Sequence, residues 1–181
     1  MLHLKNITAG NPKTAEQYQM TKQHGITWLF SEDDKNWYEE QKNFASDTIK
    51  MVYTGDGRVV WVGKDVTGIE PRNASVIEVP DITANRRITV PGYWFYRDDK
   101  FVFDYKLKAE DERDALLKQV SIMTSEWEKD LLLGLISDED REKLKAYRIY
   151  AKSLQAMDFN IITDKTSYNA IEWPVSPEAS S

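Results

Sequence analysis

The chain has 181 residues, a net charge of −6 and no cysteine. That length fits one domain of ordinary size or two small ones, while the missing thiols exclude disulfide scaffolds and thiolate metal centres and agree with synthesis in a reducing cytoplasm. Acidic and basic residues are mixed, no basic stripe exceeds the pair Arg86-Arg87, and no apolar run approaches a membrane span, so neither nucleic acid nor a bilayer is an expected partner.

Met1 to Asn6 has neither the apolar core nor the small-residue cleavage site of a secretory signal. The sequons at Asn6 and Asn73 therefore read as accidental. Asn11 to Thr14 reads as a loop feeding a short helix over Ala15 to Thr21, with Thr14 as its cap. Ile26 to Phe30 is a strand, Ser31 to Asn36 a polar turn, and Trp37 to Glu40 the returning strand. This stretch sets four aromatic rings, Trp28, Phe30, Trp37 and Tyr38, around a six-residue polar break. Large stiff rings with a polar handle suit a surface that binds another macromolecule. They equally suit the core of a small sheet, and both readings stand at this point.

Asp47 to Tyr53 alternates, with Ile49, Met51 and Tyr53 on one face. Thr54-Gly55-Asp56-Gly57 supplies a tight turn, and Arg58 to Val62 returns as a hairpin. Ser75 to Val79 is a further short strand ended by Pro80. Tyr93 to Tyr96 and Phe101 to Tyr105 form a last hairpin across Arg97 to Lys100.

Near residue 107 the period changes. Leu116, Leu117, Val120, Met123, Trp127 and Leu131 recur at helical steps up to Gly134. Ser137 and Asp140 form a capping-box pattern, and Leu144, Tyr147, Ala151, Leu154 and Met157 extend the stripe along a second, antiparallel helix. From Asp158 no helical period is visible, prolines stand at 174 and 177, and Trp173 is placed to anchor the tail. The expected fold is α+β: a β-rich domain over 1–107, a helical hairpin over 108–157 and an extended tail over 158–181. Two helices alone bury little, so their stripe needs the β part or a second copy, and a homodimer through the hairpin is expected.

No spacing speaks for catalysis, a metal or a cofactor. His3 and His24 lie far apart, and no nucleophile elbow G-x-S-x-G occurs. Gly63-Lys64 lacks the glycine-rich loop of a phosphate cradle. Glu32-Asp33-Asp34 lacks the calcium-loop spacing. Carboxylate pairs such as Glu39-Glu40 and Glu110-Asp111 are unavoidable among 30 acidic residues and carry no signal for glycoside hydrolysis.

Several runs together are more specific. Leu4-Lys5-Asn6, Gly10 to Thr14, Gln17-Tyr18, Trp28-Leu29, Ser31-Glu32-Asp33 and Lys35 to Glu40 resemble the tail-fibre assembly proteins of Mu-like and P2-like phages. Asn43-Phe44, Asp47 to Lys50, Val52-Tyr53, Val79 to Arg87 and Glu172-Trp173-Pro174 add to the likeness. Val90 to Trp94 departs from the family's plainer Gly-Lys-Trp, the helical part matches mainly in character, and Phe159 to Ala170 is longer than usual. The resemblance implies a chaperone of the host bacterial cytoplasm that engages the C-terminal, receptor-binding region of a tail-fibre protein and promotes its trimerisation. On that reading Trp28, Phe30, Trp37, Tyr38 and Glu39 form the contact surface. The alternative is a structural virion protein that stays on the fibre tip and binds host surface polysaccharide.

Overall fold

The computed structural model describes residues 1–180. The chain is α+β and divides into two compact units, Met1–Phe103 and the chain from Asp104 onward.

The first unit is built on a five-stranded antiparallel sheet in the order β2-β1-β5-β3-β4. Its strands are β1 (His3–Gly10), β2 (Trp28–Phe30), β3 (Thr48–Thr54), β4 (Val59–Gly63) and β5 (Ala74–Pro80). The strand β1 has no counterpart in the sequence reading. A register shift between Leu4 and Ile7, with Asn6 at φ 49°, puts both apolar residues on the core side and breaks the period-two pattern.

Both faces of this sheet are covered. Val52 and Val76 pack with Leu4, Ile7, Leu29 and Trp37 on one side. Ile49, Met51 and Val79 pack with Val59 and Ile88 on the other, joined by Tyr53, Trp94 and Phe101. That is why β3 is buried almost throughout instead of alternating between core and solvent. It is also why Lys50, directly opposite Glu78, is enclosed. The Lys50 ammonium donates to the carbonyls of Ala45 and, at 3.3 Å, Thr48. Glu78 accepts from the backbone N–H of Leu2 (2.9 Å) and Ala45 (2.6 Å) and from the Thr48 hydroxyl (2.7 Å). Burial pushes the Glu78 carboxyl up. The Thr48 hydroxyl, the two N–H donors and the Lys50 charge outweigh it and hold the group below its ordinary value.

A separate hairpin, β6 (Trp94–Arg97) and β7 (Lys100–Phe103), closes the unit. Asp98 and Asp99 both take positive φ, 50° and 57°, as a two-residue hairpin turn requires. Tyr96 N–H donates to the Gly57 carbonyl at 2.7 Å, which ties this hairpin to the β3–β4 turn.

Three short helices complete the unit. The first, α1 (Ala15–His24), is capped by Thr14, whose hydroxyl accepts from Gln17 N–H at 3.1 Å. Trp37–Glu40, expected as a returning strand, is instead the helix α2, continued by a 3-10 turn over Gln41–Asn43. Asn36 caps it by accepting from Tyr38 N–H at 2.9 Å, so the pattern Asn36-x-x-Glu39 is an N-terminus signal rather than part of a strand. The third, α3 (Thr83–Arg86), also lies outside the sequence reading.

In the second unit, α4 (Tyr105–Leu133) and α5 (Asp138–Gln155) pack antiparallel around Val120, Tyr147, Tyr150 and Leu154. Ser137 caps α5, accepting from Asp140 N–H at 3.1 Å. The tail carries a further short helix, α6 (Lys165–Asn169), whose five residues are too few to show a period. Asp164 and Ser167 form its capping box. Trp173 packs against the hairpin core and meets Phe159 at a tilt of 45°, ring centres 5.7 Å apart. The apolar stripe that called for a second copy is thereby largely covered inside the unit.

Candidate functional site

The ring-rich segment is held by α1. The buried Trp28 indole N–H donates to the Gln17 carbonyl (3.2 Å) and the Thr21 hydroxyl (2.8 Å). Gln17 is itself buried and donates through Nε2 to Glu39 at 3.3 Å, which joins α1 to α2. A polar helix with almost no apolar face is thus bound to the sheet by hydrogen bonds.

The five residues expected to form a contact surface separate into two groups. Trp37 is 0 % exposed and sits at the centre of one core, with Phe44 against it at 6.0 Å. Phe30 is buried at the sheet edge under the Lys13 ammonium, 4.0 Å from its ring centre. A side chain with no exposed surface cannot touch a partner, so Trp37 is a packing residue in this fold. Tyr38, by contrast, is 39 % exposed. It meets Trp28 edge to face at 5.8 Å and 85°, and its hydroxyl donates to the Thr27 carbonyl at 3.0 Å. Glu39 is exposed beside it.

Trp28 and Tyr38 line a groove of about 510 Å³, completed by Met20, Gly25, Ile26, Thr27, Glu70 and Arg72. Arg72 Nη2 and Nε donate to one oxygen of Glu70, at 2.5 and 3.1 Å. Burial raises the Tyr38 phenol and the Glu70 charge raises it further, against a smaller opposing effect of Arg72. The ring therefore presents a neutral O–H at physiological pH. An apolar floor with an aromatic wall and one acid–base pair can hold a peptide or a sugar ring by stacking and hydrogen bonding. Met20, Glu70 and Arg72 escaped the sequence reading. Nothing local marks them, because Arg72 reaches the groove only through the β4–β5 connection.

The acidic turn, the Gly-Lys pair and His3 all make structural contacts. Glu32 accepts from Asn6 Nδ2 at 2.5 Å, Asp33 pairs with Lys35 at 2.7 Å, and Asp34 pairs with Lys13. Lys64 of the Gly-Lys pair bonds Asp81 at 2.7 Å. His3 shares a 2.7 Å hydrogen bond with the Tyr53 hydroxyl. Among the described residues no cluster of histidine and carboxylate side chains could hold a metal ion, and no helix is long and apolar enough to cross a membrane.

The family model described as Caudovirales tail fibre assembly protein, lambda gpK, matches residues 39–178. The chain is 47 % identical to tail fiber assembly protein U′ of Escherichia phage Mu, with 98 % of this chain and all of that protein aligned. It is 46 % identical to protein U′ of Escherichia phage P1 and 39 % identical to a probable tail fiber assembly protein of Escherichia phage P2, over the same shares.

Proposed function

The chain belongs to the Caudovirales tail fibre assembly protein family, and from that premise we propose that it is a chaperone for its phage's tail-fibre protein. It binds the C-terminal, receptor-binding region of the fibre in the cytoplasm of the host bacterium and promotes its folding and trimerisation. A trimeric, β-rich fibre has to bring three chains into register. Its non-local pairings form slowly and leave strand edges open meanwhile. A partner that covers those surfaces needs neither nucleotide nor catalytic group. It needs only higher affinity for the assembling state than for competing ones.

The observation that carries this reading is the groove walled by Trp28 and Tyr38. The Trp28 ring is fixed from behind by α1 and the Tyr38 hydroxyl by the Thr27 carbonyl, so little conformational entropy is lost when a partner docks. Tyr38 and Glu39 are the exposed members of the contact segment, Trp28 lines the groove, and Phe30 and Trp37 hold the scaffold. The test is coexpression of the fibre with the wild-type chain, with Tyr38→Ala and with Met20→Ser. Loss of soluble trimeric fibre with the variants supports the proposal. A fibre that trimerises equally well without the chain ends it.

A second reading has its own observation. An exposed tyrosine beside an Arg72–Glu70 pair also suits stacking on a sugar ring, which fits a virion protein that stays at the fibre tip and binds host surface polysaccharide. Presence of the chain in purified particles, with polysaccharide binding lost in Tyr38→Ala, supports it. A homodimer through the α4–α5 hairpin has the exposed Ile122 and Met123 of α4 as candidate surface, and light scattering decides it.

A further inference from the structure

Three strongly exposed leucines of the second unit gather where α4 turns into α5. Gly134, at φ 70°, ends α4. Its N–H donates to the Leu131 carbonyl at 3.2 Å, and Leu135 N–H donates to the Asp130 carbonyl at 2.8 Å. This is the Schellman arrangement, which ordinarily lets the residue after the glycine pack on the one whose carbonyl it caps. Here that residue is Asp130, whose carboxylate offers Leu135 no apolar surface. Leu135 is 72 % exposed, and Leu132 and Leu133 are 87 % and 71 % exposed. A contiguous apolar tip of this kind on a folded protein marks an interaction surface.

A groove of about 550 Å³ runs from this tip between the two helices. Leu131, Leu132 and Leu144 line its floor. Arg141, Lys145 and Arg148 stand on its rim against one carboxylate, Glu128. The pairs that could neutralise the rim are long and exposed: Arg148 to Glu128 at 3.7 Å and Lys145 to Glu142 at 3.6 Å. Arg141 has no ion pair among the described residues. In a chain of net charge −6, this groove is locally positive.

We propose that the tip groove between α4 and α5 docks an acidic, leucine-anchored segment of another protein. Apolar anchors fill the floor and carboxylates meet Arg141, Lys145 and Arg148, as when an amphipathic helix lies in a groove. A second copy is the less suitable occupant. A two-fold pair sets the same patch against itself, and the three cations of one rim would face three more. The surface lies in the second unit and does not depend on the Tyr38 groove.

The test uses the full chain and two labelled synthetic helical peptides. Both carry leucines at i, i+4 and i+7. One is flanked by glutamates, the other by lysines. Fluorescence anisotropy is expected to show the glutamate peptide bound at least about tenfold more tightly, with affinity falling as salt is raised. Arg141→Glu/Lys145→Glu/Arg148→Glu reverses the preference, Leu132→Ser weakens both peptides, and Tyr38→Ala changes neither. Should the triple variant not fold by circular dichroism, Arg141→Glu alone lowers the glutamate preference. Equal binding of the two peptides, or no binding of the glutamate peptide, overturns the proposal. So does a concentration-dependent dimer that Leu132→Ser abolishes, which would assign the groove to a second copy.

Discussion

Trp28 and Tyr38 meet edge to face at 5.8 Å, yet one ring is buried and the other is open to solvent. Between them they mark where the core of the first unit ends and the candidate contact surface begins. Substitutions of the two should therefore separate stability from binding. Trp28→Ala is expected to cost roughly 3–5 kcal/mol of unfolding free energy, as for other buried aromatics. Tyr38→Ala costs much less, on the order of 1 kcal/mol, but weakens fibre binding by about 2 kcal/mol if it is a contact hot spot. Denaturant titration and a binding isotherm on each variant check both halves.

The indoles of Trp28 and Trp37 predict a second contrast. The first donates two hydrogen bonds, whereas the second is enclosed with no acceptor among the described residues. Replacement by phenylalanine shortens both rings alike. Trp28→Phe also removes two hydrogen bonds and leaves the Thr21 hydroxyl and the Gln17 carbonyl only the 2.9 Å bond they share, while Trp37→Phe removes a buried donor that has no acceptor among the described residues. Trp28→Phe is expected to be the more destabilising, by about 1 kcal/mol or more, as measured by urea midpoints.

Glu78 links acid to unfolding. Its carboxyl lies below the ordinary value when folded, since the Thr48 hydroxyl, the Leu2 and Ala45 N–H groups and the Lys50 charge overcome the effect of burial. Its contribution is complete above the unfolded pKa, about 4.3, and is lost as pH falls through the lower folded value. Glu78→Gln should cost about 1–3 kcal/mol at neutral pH and flatten the acid limb of a stability–pH curve. An unchanged acid limb would refute the assignment.

His3 acts at milder acidity. Burial lowers its pKa, Lys5 lowers it further, and Asp99 and Glu32 oppose the shift with smaller effects. The neutral ring is the folded form, so its stabilising effect is complete above about pH 6.5 and declines as pH falls through the folded value. His3→Gln should remove the drop in thermal midpoint between about pH 7 and pH 5. At the other extreme, burial and the Asp99 hydrogen bond push the Tyr96 phenol up to about 12. Stability carried by that neutral phenol is complete below about pH 10 and lost as pH rises through the folded value.

Gly57 holds the two hairpins together. Its φ is 89°, and a Cβ there would lie 2.5 Å from the Tyr96 carbonyl oxygen. Gly57→Ala is expected to destabilise the first unit by roughly 1–3 kcal/mol. Hydrogen exchange should show the loss at Tyr96 N–H before the β3–β5 ladder.

The sequence by itself determined the elements whose signals are local. The Thr54–Gly57 turn, the alternation of Ile49, Met51 and Tyr53, the stripes of α4 and α5 and the caps Thr14 and Ser137 each depend on residues a few positions apart. So did the family resemblance, because it is a property of residue order. The tertiary structure decided which rings are core and which face outward. Trp28, Trp37 and Tyr38 are large aromatics alike in the linear chain, and only the helix α2, the sheet behind it and α1 above it bury the first two and leave the third exposed. It also decided that both sheet faces are covered, that β1 exists despite its broken period, and that Leu132, Leu133 and Leu135 remain uncovered around the end of α4. Burial is set by what arrives from elsewhere in the chain, and no window of neighbouring residues contains that information.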